Sequence, residues 1–505
     1  MRRRVCDAPA PPTPERTMYR LLFGLLLTLV IACAGSEAGT PTPPSPDGGG
    51  KPPAPSAAEM RPWIEAIVAE GIRRPGYPAD ARVEQRIRDW LTGFGVEDVR
   101  LEPVTVTRWM TVEGASSVEV CRPACDGSLK LTVFPTLAVA APRTIDAPLV
   151  RYDGSTAGLA GKIVVLDYPM ARFVPGALAD QSLWVHDPDA DLSSTSHPNS
   201  RPQTSKAAST VVAILRARPA AIVCALDDFF DTPYVYGVPS LLLNDSIPVV
   251  YASPSSRSAL LQALAGSAPS ARLTVVATSE EVVAHNVVGR LRSNKTTDIV
   301  LFGSHHDGPF FGATEDAAGV SLVLAQARYW SQVPASQRPF EFRFVLTAGH
   351  LLRSRGAEAW VTAHPDLAAK TVLNVHLETP AQEYDVNSQN APVNRNRIEP
   401  HWFYVSNAPV LVDGLKGAVQ RVDYRRTMAI DPKAFPDGPP SDAKAFFSAG
   451  IPILSHISNP AYYLTIEDKL DKVSDKANEE LSRVVIDVVW GLAGQTPAGL
   501  RAVVR

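Results

Sequence analysis

The sequence predicts an α/β protein built on a mainly parallel, doubly wound sheet, with a β-rich domain inserted into it. Three observations carry that expectation. After residue 281, apolar strand runs alternate with helical patterns, as in "TTDIVLFGSHHDG" followed by "ATEDAAGVSLVLAQARYW". Such alternation implies parallel strands with covered faces. The histidines and carboxylates of this region gather where strands end, which is where sheets of this kind place their sites. Between residues 113 and 280 the pattern changes to short apolar runs split by turn residues, the sign of a separate unit.

The composition is compatible with a folded body. Of 505 residues, 45% are hydrophobic and 20% charged, enough for more than one core and far from a disordered composition. Net charge is −3 with no long basic run, so no nucleic-acid partner is expected.

Residues 1–33 read as a lipoprotein signal peptide. Leu21 to Ala32 form an apolar run of about a dozen residues, preceded by Arg20. A bilayer span needs roughly twenty, so the run suits a signal h-region. The segment "MRRRVCDAPAPPTPERT" is unlike a signal n-region, which makes Met18 an alternative start. Val30-Ile31-Ala32-Cys33 resembles a lipobox, which makes Cys33 the expected lipidation site. Residues 34–56 are rich in Pro, Gly, Ser, Thr and Ala and read as a tether. The body is then expected outside the cytoplasm, held to a membrane by lipid. By resemblance to lipoproteins of double-membrane bacteria, Ala34 permits transfer to an outer membrane.

The body opens with two helices. Met60, Ile64, Ile67 and Ile72 recur at helical spacing, and Val83, Ile87 and Leu91 lie four apart within about 79–93. "GFGVEDVRLEPVTV" reads as helix stop, turn and strand, completing a first part at 57–112. The inserted unit spans 113–280. Its runs "KIVVLDYP", "STVVAILRARPAAIVCAL", "VPSLLLN" and "IPVVYAS" predict several strands and one or two helices. Cys121 and Cys125 suit a small-loop disulfide in an oxidising compartment, and Cys224 reads as a buried strand residue. From 281 to 505, strands are expected at Ile299–Phe302, Phe342–Leu346, Val372–Val375 and in "GIPILSHIS". The last helix carries Leu481, Val484, Val488 and Leu492 on one face.

His305, His306 and Asp307 follow the first of these strands, and His350 the second. His376 and Glu378 end the third, and Glu315 and Asp316 open a helix. Each has an ordinary alternative. The acidic pair suits a helix first turn, and a lone strand-end histidine is commonly a hydrogen-bonded residue. His306 and Glu378 read as solvated or supporting residues, and His456 as a possible wall of the pocket. Together, however, four loops supplying His and carboxylate ligands could hold one metal.

These stretches resemble the zinc exopeptidases of metallopeptidase family 28. The resemblance rests on "AHNVVGRL", "FGSHHDGPFFGATEDAAGV", "FRFVLTAGHLLRSRGAEAWV", "TVLNVHLE" and "SDAKAFFSAGIPILSHIS…YYLTIEDKLDKV", in family order. It implies the zinc-exopeptidase (phosphorylase/hydrolase-like) fold, and it identifies the 113–280 insertion as similar to a protease-associated (PA) domain. It also implies a site. His305 falls on the first zinc ligand with Asp307 its partner, Glu315 on the bridging ligand and His376 on a third ligand. His350 falls on the general-base position, normally glutamate. The second zinc's own ligands fall on Leu351 and Leu464, and leucine cannot ligate. Asp442 matches a Ser-Asp-His segment whose histidine is Ala443 here.

Two functions follow as expectations. The first is a pseudo-peptidase, lacking ordinary two-zinc aminopeptidase activity and offering its pocket to a peptide or protein ligand. The alternative is a mononuclear hydrolase with one zinc or other divalent ion on His305, Glu315 and His376. On either reading a second zinc is not expected.

Overall fold

Strands Ile299–His305, Glu341–Thr347, Thr371–Leu377 and Ile453–Ser458 are almost wholly buried, which is what a parallel sheet covered on both faces requires. They form the centre of a nine-stranded sheet in the computed structural model, which describes residues 50–136, 141–200, 206–233, 247–265, 269–435 and 438–502. The expected signal peptide, Cys33, most of the tether and the run "VPSLLLN" lie outside these residues.

Neighbouring strands at the centre pair in parallel, with Glu341–Thr347 beside Ile299–His305, then Thr371–Leu377, then Ile453–Ser458. The flanks are antiparallel. Ala277–Leu291 joins one side and carries the edge strand Glu97–Thr111. On the other side His401–Val405 runs antiparallel to Ile453–Ser458. The sheet is therefore mixed, and the expected parallel character holds at its centre. Helices Ala57–Val68, Pro78–Gly93, Gly319–Gln332 and Asp475–Gly491 supply buried faces to the same core as the sheet.

The local signals account for the helices. Ser56 and Glu59 form a capping box, the Ser56 amide donating to Glu59 Oε2 at 2.8 Å. Met60, Ile64 and Ile67 are buried, but Ile72 lies beyond the helix end. Pro78 opens the second helix, and Gly95 follows it with φ +79°, a conformation that favours glycine. Glu315 and Asp316 are not a regular first turn. They occupy a widened turn, Ala313–Ala318, with non-helical dihedrals, and the regular helix starts at Gly319.

Residues 117–275 build a second, eight-stranded sheet with its own apolar cluster around Val118, Ile163, Val223 and Leu273. Cys121 and Cys125 are disulfide-bonded, and Cys224 is buried in the strand Ala221–Asp227. One stretch of the insertion leaves this sheet. Trp184–His186 pairs with Thr427–Ile430 at the edge of the main sheet, and His197 hydrogen-bonds Glu399 at 2.8 Å in the buried interior.

Candidate metal centre

Parallel strands in register bring their C-terminal ends to one edge. His305 is paired across from Thr347, Gly303 from His376, and Leu377 from His456. The loops leaving these ends supply the polar residues of one buried site.

Two residues remote in sequence hold the loop between His305 and Glu315. Arg73 is fully buried, and its guanidinium donates to the backbone carbonyls of His306 (2.9 Å), Phe311, Gly312 and Glu315 (3.4 Å). Asp468 accepts from the Thr314 amide and hydroxyl and from the Glu315 amide at 2.8–2.9 Å. Asp316 accepts from the amides of Gly319 (3.1 Å) and Thr379 (3.2 Å) and from the Ser304 hydroxyl. These bonds replace a normal helix start and aim Glu315 at the strand ends. Neither Arg73 nor Asp468 stood out in the sequence, because nothing local to them marks a partner so far along the chain.

At the centre, Glu315 Oε1 lies 3.6 Å from His305 Nε2 and 3.6 Å from His350 Nε2. The two imidazoles stack with centroids 3.8 Å apart and planes 6° apart. His305 Nδ1–H donates to the Asp307 carbonyl at 2.9 Å, and His350 Nδ1–H to Asp442 Oδ1 at 2.8 Å. Both rings therefore turn Nε2 inward, the arrangement in which a carbonyl or carboxylate orients a metal-binding histidine. His305 Nε2 is buried with no hydrogen-bond partner among the described residues. Asp307 supports the other histidine too, accepting from the His350 amide at 3.1 Å.

Glu378 completes the centre. A donor atom from each of His305, His350 and Glu378 lies within 4.8 Å of the other two. Far from being a surface residue, Glu378 is 2% exposed. Its Oε1 accepts from His376 Nε2–H at 2.6 Å and from the Ser441 hydroxyl. His376, expected as a ligand, is buried beside Glu378, and its Nδ1 has no hydrogen-bond partner among the described residues. Its Nε2 is committed to Glu378, and its Nδ1 abuts the backbone at Gly303, where an added Cβ would stand 3.0 Å away. His456 lies behind the site, with Nδ1–H donating to the Glu378 carbonyl at 2.8 Å and Nε2 accepting from the Tyr424 hydroxyl at 3.0 Å. The spacing His376-x-Glu378 was the available signal for this pair, since residues i and i+2 share a strand face.

Leu351 and Leu464 are buried in an apolar cluster with Tyr462 and Tyr463. Neither leucine carries an atom that can ligate a metal, whereas His305, His350 and Glu378 offer donors that fit a cation.

The electrostatics follow from burial among carboxylates. Burial and the neighbouring His350 charge push His305 down to about 3, so it is neutral with a lone pair at Nε2. Burial also disfavours the charged form of His350, but Asp442, Glu378 and Glu315 outweigh it and hold His350 well above the usual imidazole range. Burial raises Asp316 well above a normal carboxylate, with Glu378 and Glu315 adding to the effect. Against burial, His376, His305 and His350 hold Glu378 below its ordinary value, and His350 does the same for Asp442.

A cavity of about 810 Å³ opens onto this centre. His350 and Glu378 reach its lining, beside Leu351, Ser441, Ile457 and Tyr463. Ser441, at φ +72°, carries one of the left-handed non-glycine backbones that collect at functional sites.

A second cluster, Asp80, Glu84 and His306, is committed elsewhere. His306 is buried rather than solvated, and both its ring nitrogens donate, to Asp80 at 2.7 Å and to the His285 carbonyl at 2.9 Å. Burial opposes its charge, but Asp80 prevails and lifts it to about 9. The His306–Asp80 ion pair braces the helix Pro78–Gly93 against the loop of Asp307.

Known proteins resemble this chain in part of its sequence and in fold. The sequence model of Peptidase family M28 matches residues 286–489. A zinc aminopeptidase from Bacillus subtilis superposes with a TM-score of 0.63 at 16% identity, over 88% of this chain and 97% of that one. A peptidase M28 precursor from Shewanella amazonensis gives 0.63 at 19% identity, over 86% and 92%. An aminopeptidase from Aneurinibacillus gives 0.58 at 18%, over 87% and 94%. At these identities the likeness is one of fold. Among curated proteins, none matches the chain.

Proposed function

With residues 286–489 matched to Peptidase family M28 on a fold shared with zinc aminopeptidases, we propose that this chain is an exported, lipid-anchored metallopeptidase-like protein that lacks ordinary two-zinc aminopeptidase activity. Its pocket holds a peptide or protein ligand. The observation that carries this reading is the pair Leu351 and Leu464, 8% and 1% exposed in one apolar cluster, at the positions on which the family resemblance puts the second zinc's own ligands.

A divalent metal in such a site polarises a carbonyl and activates water. The residues present supply less than that chemistry needs. His350 stands where the family places its general base, but its Nδ1–H is tied to Asp442. Loss of a positioned carboxylate base typically costs about 10²–10⁴-fold. Glu378 is held by His376 and Ser441, which suits it to orient a ligand at the cavity floor. The mononuclear alternative, expected on His305, Glu315 and His376, is favoured by a different observation: Glu315 Oε1 lies 3.6 Å from His305 Nε2, with His350 Nε2 at the same distance.

The test is an assay of purified protein on aminoacyl and peptide amides with added zinc. No turnover is expected, with measurable peptide binding. Turnover at rates ordinary for an aminopeptidase would overturn the reading. The anchor is tested separately by fatty-acid labelling, expected in the wild type and absent in Cys33→Ala. No helix among the described residues is long and apolar enough to cross a membrane, so the proposed attachment rests on Cys33 and the apolar run before it. The eight-stranded unit is read as a PA-like domain, supported by its strands and by its two longer helices, Lys206–Arg216 and Pro254–Leu264.

A further inference from the structure

We propose that the chain binds one divalent metal ion through a relocated ligand set: His305 Nε2, His350 Nε2 and the Glu378 carboxylate, with Glu315 beside them. His376 is then a positioning residue that holds Glu378, not a ligand. This deepens the reading above by giving the altered site a cofactor of its own.

Four observations converge. One ligand atom from each of His305, His350 and Glu378 lies within 4.8 Å of the other two, and His350 and Glu378 line the cavity. Glu315 Oε1 is 3.6 Å from each Nε2, and donors on one tetrahedral ion with bonds of about 2.0–2.2 Å stand about 3.3–3.6 Å apart. Each histidine is oriented through Nδ1–H, by the Asp307 carbonyl and by Asp442, which leaves Nε2 as the coordinating atom. His305 Nε2 is buried and unsatisfied among the described residues, a costly state that coordination removes. Parallel rings aim their Nε2 atoms side by side, so an ion shared between them draws the planes apart from their present 6°.

The chemistry of the donors narrows the ion. Two imidazoles and one or two carboxylates suit zinc, cobalt, nickel, copper or ferrous iron and do not suit calcium or magnesium, which prefer oxygen shells. His376 Nε2 is taken up by the 2.6 Å bond to Glu378, and its unpartnered Nδ1 faces the backbone at Gly303. Its role is that of a donor aiming a carboxylate, and any side chain that donates from the same place serves.

That difference sets the test. Purified full-length chain is stripped with a chelator, and zinc binding is measured by calorimetry and by metal analysis after equilibration. About one zinc per chain is expected. His350→Gln and Glu378→Gln are expected to weaken binding by about 100-fold or more, because each removes a ligand. His376→Gln keeps a donor toward Glu378, so its affinity stays within about threefold of wild type, while His376→Leu loses about 10–100-fold. Melting of the zinc-free variants controls for folding, and two independent ligand variants guard against the failure of one. Zinc below about 0.2 per chain would overturn the proposal. So would affinity lost in His376→Gln but kept in His350→Gln. Failure here leaves the proposed loss of aminopeptidase activity standing, since that is read from turnover and not from metal content.

Discussion

Arg73 donates to the carbonyl oxygen of Glu315 at 3.4 Å, across 242 positions of sequence, and the same guanidinium holds the carbonyls of His306, Phe311 and Gly312. A fully buried arginine thus spends its donors on backbone and sets the path of the loop from His305 to Glu315. Burial holds it below the usual arginine range, and the charges of Asp468, Asp316, Asp80 and Asp307 offset that only in part.

Replacing Arg73 with Met strands these buried carbonyls and leaves the surrounding carboxylates uncompensated. The expected cost is about 3–5 kcal/mol of stability, read from urea unfolding. Asp468→Asn keeps the shape but removes the charge that faces Arg73, and a smaller loss in the same direction is expected. Neither variant touches the cavity, so a wild-type urea midpoint in both would sink the clamp.

Gly319 marks where the regular helix begins. A Cβ there would run into the Asp316 carboxylate and the Leu377 carbonyl. Gly319→Ala should therefore cost about 1–3 kcal/mol by overpacking, although alanine is the better helix former. A stabilised Gly319→Ala protein would contradict the packing at this turn.

Acid sensitivity should come in part from Glu383. Burial pushes its carboxyl up, but hydrogen bonds and charges from Arg397 and Arg426 outweigh burial and hold it below its ordinary value. A folded-state value below the unfolded one, about 4.3, contributes stability above that pH. The contribution is lost as pH falls through the folded value. The stability gap between wild type and Glu383→Gln should be full near neutrality and shrink in acid. A gap that does not change with pH would show that Glu383 gains nothing from the arginines.

The leucines that the family resemblance puts at the second-metal positions can be replaced. Leu351→Glu with Leu464→His restores carboxylate and imidazole donors where the apolar cluster now packs. Zinc content is expected to rise from about one to about two per chain. Without metal the double variant should be less stable, because both new groups are buried without partners. Unchanged zinc content in a folded double variant would mean these positions do not adjoin the centre.

Much of the scaffold was legible because its signals are local. The four-residue spacing of Val83, Ile87 and Leu91 reports one helix face, and the buried runs around Leu301, Phe344 and Val375 report central strands. The placing of His305, His350 and His376 at or just after strand ends also follows from local pattern. Which of their nitrogens face inward does not. His376 and Glu378 share one strand face, and sequence cannot say which of them stands over the strand end and which braces it.

By itself, then, the sequence determined the α/β class, the main strands and helices, and that positions 351 and 464 carry leucines, which cannot ligate a metal. The tertiary structure decided the centre. It brought Arg73 and Asp468 onto the loop of Glu315, Asp442 onto His350 and Ser441 onto Glu378. The reason is physical. Helical and strand periodicities act over a few residues, whereas the direction of a buried polar side chain is set by whichever hydrogen-bond partner the fold places against it, however remote in sequence.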